Sequence, residues 1–277
     1  MRVLVSAGEL LATRPRPVLL DVRWALGDDR GHERYLEGHL PGAVFVDLDA
    51  ELADPPSPAA GRHPLPSLQR LERCARRWGI RAGDAVVAYD ASGGTAAARA
   101  WWLLRWAGVA DVRLLDGGLA AWQRAGGELE RGEVVPEPGD VALPGGGLPT
   151  LDPDTAAALP RNGGVLLDAR AAERYRGEVE PVDPRAGHVP GAVSAPTAEN
   201  LAPDGSFLPA AGLRERFAAL GIGPGTTVGV YCGSGVTAAH EVAALAAAGI
   251  EAALWPGSWS QWSADPAHPA ATGSDPG

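Results

Sequence analysis

The sequence predicts an α/β protein of two tandem domains, each a mainly parallel sheet covered by helices on both faces. Three observations carry that reading. Short apolar runs alternate with helical patterns along the chain, and strands separated by helices pair in parallel when each helix crosses over a sheet face. The chain repeats itself once, with landmarks recurring at offsets of ~140–150 residues. Its 277 residues, 45% of them hydrophobic, suffice for two cores of ordinary size.

In the first half, residues 18–23, 85–90 and 112–116 read as strands. Residues 67–78 and 95–107 carry helical periodicity, the first opening on a Ser67 cap. The second half repeats the pattern with strands at 165–170, 226–231 and 252–255. The repeat is explicit in short motifs. Leu20-Asp21-Val22-Arg23 matches Leu167-Asp168-Ala169-Arg170, and Gly38-His39-Leu40-Pro41-Gly42-Ala43 matches Gly187-His188-Val189-Pro190-Gly191-Ala192. The run ending at Asp90 matches the run ending at Cys232, and Asp116-Gly117-Gly118 with Trp122 matches Pro256-Gly257-Ser258 with Trp262. The expected domains are residues 1–131 and 150–264, joined by a Gly- and Pro-rich linker at 132–149 and followed by a flexible tail at 265–277.

Composition narrows the function. A formal net charge of −10 gives a nucleic-acid partner no general electrostatic support, so a small anionic substrate needs a local positive pocket. All 24 basic residues are arginine, which removes lysine Schiff-base chemistry and the lysine-containing phosphate loop. No apolar run reaches the roughly 20 residues that span a bilayer, and the first residues lack a secretory pattern. Two distant cysteines, Cys74 and Cys232, fit a reducing compartment, with the cytoplasm as the expected location. No metal or organic cofactor is implied, since no cysteine–histidine cluster has ligand spacing.

Cys232 stands where an apolar strand runs into the loop Cys232-Gly233-Ser234-Gly235-Val236-Thr237 and then an Ala-rich helix. Unpaired N–H groups of such a turn, together with a helix start, favour a thiolate. Cys74 lies inside a helix pattern and reads as core. A cysteine-phosphatase loop would need an arginine to close it, and no arginine follows Arg216. A thioredoxin-type site is absent because no second cysteine lies three residues beyond Cys232.

These features resemble the two-domain rhodanese family of sulfurtransferases, over about residues 18–262. The resemblance rests on tandem halves with the loop cysteine only in the second, the Gly-His-x-Pro-Gly-Ala motif in both, and the Gly-Ser-Trp-x-x-Trp ending at Trp262. In that family a Cys-Gly-Ser-Gly-Val-Thr loop is typical of 3-mercaptopyruvate sulfurtransferases. Thiosulfate-preferring members usually carry a basic residue at the second or third loop position, where this chain has Gly233 and Ser234. The resemblance implies an active site at the domain interface, with Cys232 as nucleophile and persulfide carrier. The N–H groups of Gly233, Gly235, Val236 and Thr237 would hold the anion.

By the same resemblance Arg174 binds the substrate carboxylate. A second carboxylate arginine is expected before the second Gly-His-x-Pro-Gly motif, where the segment is short and only Arg185 is present. Ser234, His63 and Asp49 match a proton relay; read without the family, His63 and Asp49 are equally an exposed loop residue and a turn former. Trp24 is either an aromatic wall of the cleft or a core residue. His39 and His188 recur in both halves, including the one without cysteine, which points to a structural role. Asp90 cannot hold sulfane sulfur, so the first domain is expected to be inactive. The acceptor would be a small thiol, a thioredoxin-like protein or cyanide. Two alternatives stay open: thiosulfate as the donor, and a non-catalytic persulfide carrier.

Overall fold

Each expected strand forms, one or two residues shorter than its apolar run. The computed structural model describes residues 2–277 and divides into two units. The first holds β1 (Leu4–Val5), β2 (Val18–Asp21), β3 (Val44–Phe45), β4 (Val86–Tyr89) and β5 (Val112–Leu115), ordered β1-β5-β4-β2-β3 and paired in parallel throughout. The second holds β6 (Val165–Asp168), β7 (Val193–Ser194), β8 (Val228–Tyr231) and β9 (Ala253–Leu254), ordered β7-β6-β8-β9 and likewise parallel. All four two-residue strands lie at sheet edges; β1, β3 and β7 are not among the expected strands, since a run of that length shows no periodicity, whereas β9 falls within the expected run 252–255.

All four residues of β4 and of β8 are buried, as expected of strands covered on both faces. The register repeats: Asp21 lies opposite Tyr89 in the first sheet and Asp168 opposite Tyr231 in the second. Asp90 and Cys232 are therefore the residues that leave the carboxyl end of an inner strand, the place where open α/β sheets bind ligands. At the neighbouring strand end a buried arginine grips its aspartate in both units, Arg23 on Asp21 and Arg170 on Asp168. Each arginine also donates to a carbonyl of the Gly-His motif, at Gly38 or Gly187. His39 and His188 are fully buried, with Nδ1 2.8 Å from the Tyr35 or Tyr175 carbonyl and the ring stacked on that tyrosine. Their recurrence has this structural cause.

Ser67 caps helix Leu68–Arg77 by accepting the Arg70 N–H, and Cys74 is buried within that helix. Burial pushes the Cys74 thiol above its ordinary range, with the nearby Glu51 carboxylate adding to the effect.

Three expectations about segments need correction. Residues 132–148 belong to the first unit and are pinned to it, through Gly139 N–H to the Arg76 carbonyl, Val141 N–H to Ile80 and Gly145 N–H to Ala107. Two of their glycines serve close approach: a Cβ on Gly139 would lie 1.9 Å from the Ile80 oxygen, and one on Gly147 2.0 Å from the Arg105 oxygen. The tail read as flexible is bonded along its length, with His188 and Ala271 exchanging two main-chain hydrogen bonds and His268 stacked on Trp262 at 4.0 Å. The units are also discontinuous. Pro55–Leu65 groups with the second unit and Pro203–Phe207 with the first, so Arg62 and His63 belong with Cys232.

Candidate active site

Cys232 follows β8, turns through Gly233 to Val236 and enters helix Thr237–Ala247. The residue is 1% exposed, and its sulfur faces its own turn, accepting the Gly235 N–H at 3.1 Å. Gly235 has φ +78°, and a Cβ there would lie 2.5 Å from the Pro256 carbonyl oxygen, so the turn requires glycine. The N–H groups of Gly233, Ser234, Val236 and Thr237 have no acceptor among the described residues. Open donors in the turn that carries the sulfur are available to an anion bound there.

The loop is held from behind by helix Ser258–Trp262. The carbonyls of Cys232 and Gly233 accept the N–H groups of Trp259 and Ser260, at 3.0 and 2.8 Å. The Ser258 hydroxyl accepts the Cys232 N–H at 3.2 Å and donates to the Trp255 carbonyl at 2.8 Å. Ser258 does this at φ 53°, the one non-glycine residue with positive φ among those described. Sequence reasoning saw the Gly-Ser-Trp motif but missed this role. The signal was there in the repeat, where Gly118 occupies the matching position with φ +55°.

Ser234 and His63, both buried, are brought together, with the serine hydroxyl 2.7 Å from Nδ1 of the imidazole. Asp49 lies in the first unit, where Trp24 Nε1 donates to its carboxylate at 2.9 Å. Trp24 itself is half-buried, so it is not a core residue.

Arg174 stands over the turn. A Cβ on Gly233 would lie 3.5 Å from its Nη1 and 3.7 Å from its Nη2. Its other N–H groups grip acids, Nη2 on Glu180 at 2.7 Å and on Asp183 at 3.2 Å, and Nε on Glu180 at 3.3 Å. Burial would raise the Glu180 carboxyl, but the N–H of Asp183 and the Arg174 guanidinium outweigh it and hold the group below its usual range. Asp183 goes the other way, raised chiefly by burial against the pull of Arg62 and Arg174.

Arg185 needs correction. Its guanidinium donates to the carbonyls of Ser263, His268, Trp262 and Asp265, at 3.0, 2.8, 3.0 and 2.7 Å. The short segment before the Gly-His motif delivers it to the carboxyl end of helix Ser258–Trp262, where a cation satisfies unpaired carbonyls. It fastens the C-terminal segment rather than facing Cys232. Arg62 was missed altogether: its Nη2 would lie 2.9 Å from a Cβ on Gly233, nearer than either Arg174 nitrogen. Among the described residues no group of three or more His, Cys, Asp or Glu side chains is placed to hold a metal ion.

A model of the rhodanese-like domain matches residues 6–125 and again 152–265. The chain belongs to this family. It is 51% identical over 282 residues to a Mycobacterium tuberculosis protein named "Putative thiosulfate sulfurtransferase SseB", covering 99% of this chain and 98% of that protein. It is 48% identical over 278 residues to a Pseudomonas aeruginosa protein named "Probable 3-mercaptopyruvate sulfurtransferase", covering 98% of each. The crystal structure of SseA from Escherichia coli, presented as that of a 3-mercaptopyruvate sulfotransferase, superposes with a TM-score of 0.82 at 34% identity, over 94% of this chain and all of that one. The family and the tandem α/β architecture expected from the sequence are thus both found.

Proposed function

We propose that this rhodanese-family protein is a cytoplasmic sulfurtransferase that moves sulfane sulfur from 3-mercaptopyruvate, through a persulfide on Cys232, to a thiol or cyanide. The observation that carries the proposal is the Cys232 sulfur accepting the Gly235 N–H inside a turn with four further open N–H groups. Arg174 supplies the cation for the donor carboxylate, since its Nη1 faces Gly233 while its other N–H groups are anchored on Glu180 and Asp183.

The Cys232 thiolate attacks the donor sulfur. A sulfur–sulfur bond forms, the carbon–sulfur bond breaks, and its electron pair leaves on pyruvate enolate. The enolate then needs a proton, and the 2.7 Å contact between His63 and Ser234, two residues beyond Cys232, supports this pair as its source. Asp49 enters this relay from the family resemblance alone. The open turn amides hold the thiolate before transfer and the persulfide after it. The acceptor thiolate or cyanide removes the outer sulfur and restores Cys232.

Because donor and acceptor use one cysteine in turn, the kinetics are ping-pong. Initial rates with 3-mercaptopyruvate at several fixed cyanide concentrations should give parallel double-reciprocal lines. Intersecting lines, or no turnover by a protein that still folds, would refute the reading.

A further inference from the structure

Helix Ser258–Trp262 holds more than the Cys232 loop. Its side chains also grip the segment Pro55–Leu65, which carries His63. Ser260 Oγ accepts the Arg62 N–H at 3.1 Å and donates to the Gly257 carbonyl at 2.9 Å. Gln261 Nε2 donates to the Ala59 carbonyl at 2.7 Å, while its Oε1 accepts the Trp255 Nε1–H at 2.8 Å. An indole N–H can only donate, so it fixes which end of the amide faces the segment. Two glycines permit the approach. A Cβ on Gly61, at φ +86°, would lie 2.6 Å from the Gly257 carbonyl oxygen, and one on Gly257 would lie 1.9 Å from Gln261 Oε1. The segment is also closed on itself, since Ser57 and Gly61 exchange two main-chain hydrogen bonds, at 3.1 and 2.8 Å.

Ser260 therefore reaches both members of the proton pair at one remove. Its N–H holds the Gly233 carbonyl at 2.8 Å, one residue before Ser234, and its Oγ holds the Arg62 N–H, one residue before His63. The repeat does not demand this arrangement. Ala120 and Ala121 match Ser260 and Gln261 in the first unit, where the segment Pro203–Phe207 is bonded through Asp116 and Arg124 instead.

We infer that Ser260 and Gln261 are positioning residues for proton delivery, which set the His63 segment in register with the Cys232 loop so that Ser234 and His63 meet at 2.7 Å. The inference rests on the sulfur transfer proposed above, with that pair as the proton source. In the donor half-reaction the sulfur–sulfur bond on Cys232 forms, the carbon–sulfur bond breaks, and one proton passes to the carbon of the departing enolate. The acceptor half-reaction with cyanide moves no proton. A carbon–sulfur bond forms in thiocyanate, and the electron pair of the broken sulfur–sulfur bond returns to Cys232. A misplaced His63 should slow only the first. A loosened Cys232 loop would slow both, because the turn amides serve thiolate and persulfide alike.

The test follows the two half-reactions separately by rapid mixing. One is pyruvate release at saturating 3-mercaptopyruvate, where changes in donor binding drop out; the other is thiocyanate release when cyanide meets the preformed persulfide. Gln261→Glu keeps the acceptor for Trp255 and removes the donor to Ala59. Ser260→Ala removes Oγ and keeps the main-chain bond to Gly233. Gly61→Ala drives the segment off Gly257. The donor half-reaction should slow about three- to tenfold in the first two and at least about tenfold in Gly61→Ala, with the cyanide step within about twofold of wild type throughout. Should Gly61→Ala not fold, the other two carry the test. Equal slowing of both half-reactions would overturn the inference and leave the proposed function standing. So would an unchanged donor half-reaction in Gln261→Glu and Ser260→Ala where His63→Ala slows it. No slowing in His63→Ala would overturn the proton pair and the inference with it, and a wild type that releases no pyruvate would overturn the function itself.

Discussion

The turn after β4 and the turn after β8 are the same device holding different anions. In the first unit Asp90 fills its own turn: Oδ1 accepts the N–H groups of Ser92 and Gly94 at 2.8 Å each, and Oδ2 those of Ala96 and Ala97 at 3.0 and 3.1 Å. In the second, Cys232 accepts one N–H, from Gly235, while the N–H groups of Ser234 and Val236 stay open at the positions that match Ser92 and Gly94. A fixed carboxylate saturates the donors, and nothing further can bind. A sulfur leaves them vacant for a second sulfur. The contrast shows how a repeat can keep one anion site for structure and expose the other for chemistry.

The most severe way to break the contrast is to erase it. Cys232→Asp should copy the first turn into the second, keep the fold and lower sulfur transfer at least about 1000-fold, because no persulfide can form. Thermal unfolding beside the activity assay checks both halves of that statement, and residual transfer above background would break the assignment.

Asp90→Ala tests the other side. It strands four N–H groups, three of them buried, and should destabilise the protein by about 2–4 kcal/mol in urea unfolding. A change under about 0.5 kcal/mol would mean those bonds are not what holds the first turn.

Ser258 and Gly118 sharpen the comparison at matched positions. Ser258→Gly relieves the positive φ but loses the hydroxyl, so the two effects oppose each other. Ser258→Ala keeps the strain and leaves the Cys232 N–H unpaired, and should be less stable than Ser258→Gly by about 1 kcal/mol. The reverse order would show that the positive φ at this position costs little.

The smallest effect concerns the second cysteine. Burial raises the Cys74 thiol, so the folded protein keeps a proton that the unfolded chain releases. The stability this supplies is complete below the unfolded thiol range, ~8.5, and is lost as pH rises toward the folded value, with a slope of at most about 1.4 kcal/mol per pH unit. Cys74→Ala should flatten that decline between pH 8 and the tyrosine range. An unchanged slope would contradict it.

Much of this was legible in the chain. The long central strands, the helices after them and the repeat carry signals spread over many residues, so periodicity and self-similarity find them. Cys232 and its turn glycines were legible because a strand, a glycine turn and a helix start are adjacent in sequence. Arg62 and Asp183 were not, because their meaning comes from convergence on Gly233 of segments that nothing local connects. Arg185 was misread for the opposite reason: its neighbourhood in sequence resembles a substrate-binding segment, while folding delivers it to four carbonyls. The glycines of 132–148 read as flexibility, whereas Gly139 and Gly147 let two backbones touch.

The most direct measurement is the intact and peptide mass of the protein after a single turnover with 3-mercaptopyruvate and no acceptor. We predict the added mass of one sulfur atom on the Cys232 peptide, none on the Cys74 peptide, and its removal by cyanide. Pyruvate release with no sulfur on Cys232, or sulfur that cyanide leaves in place, would contradict the persulfide at the centre of this mechanism.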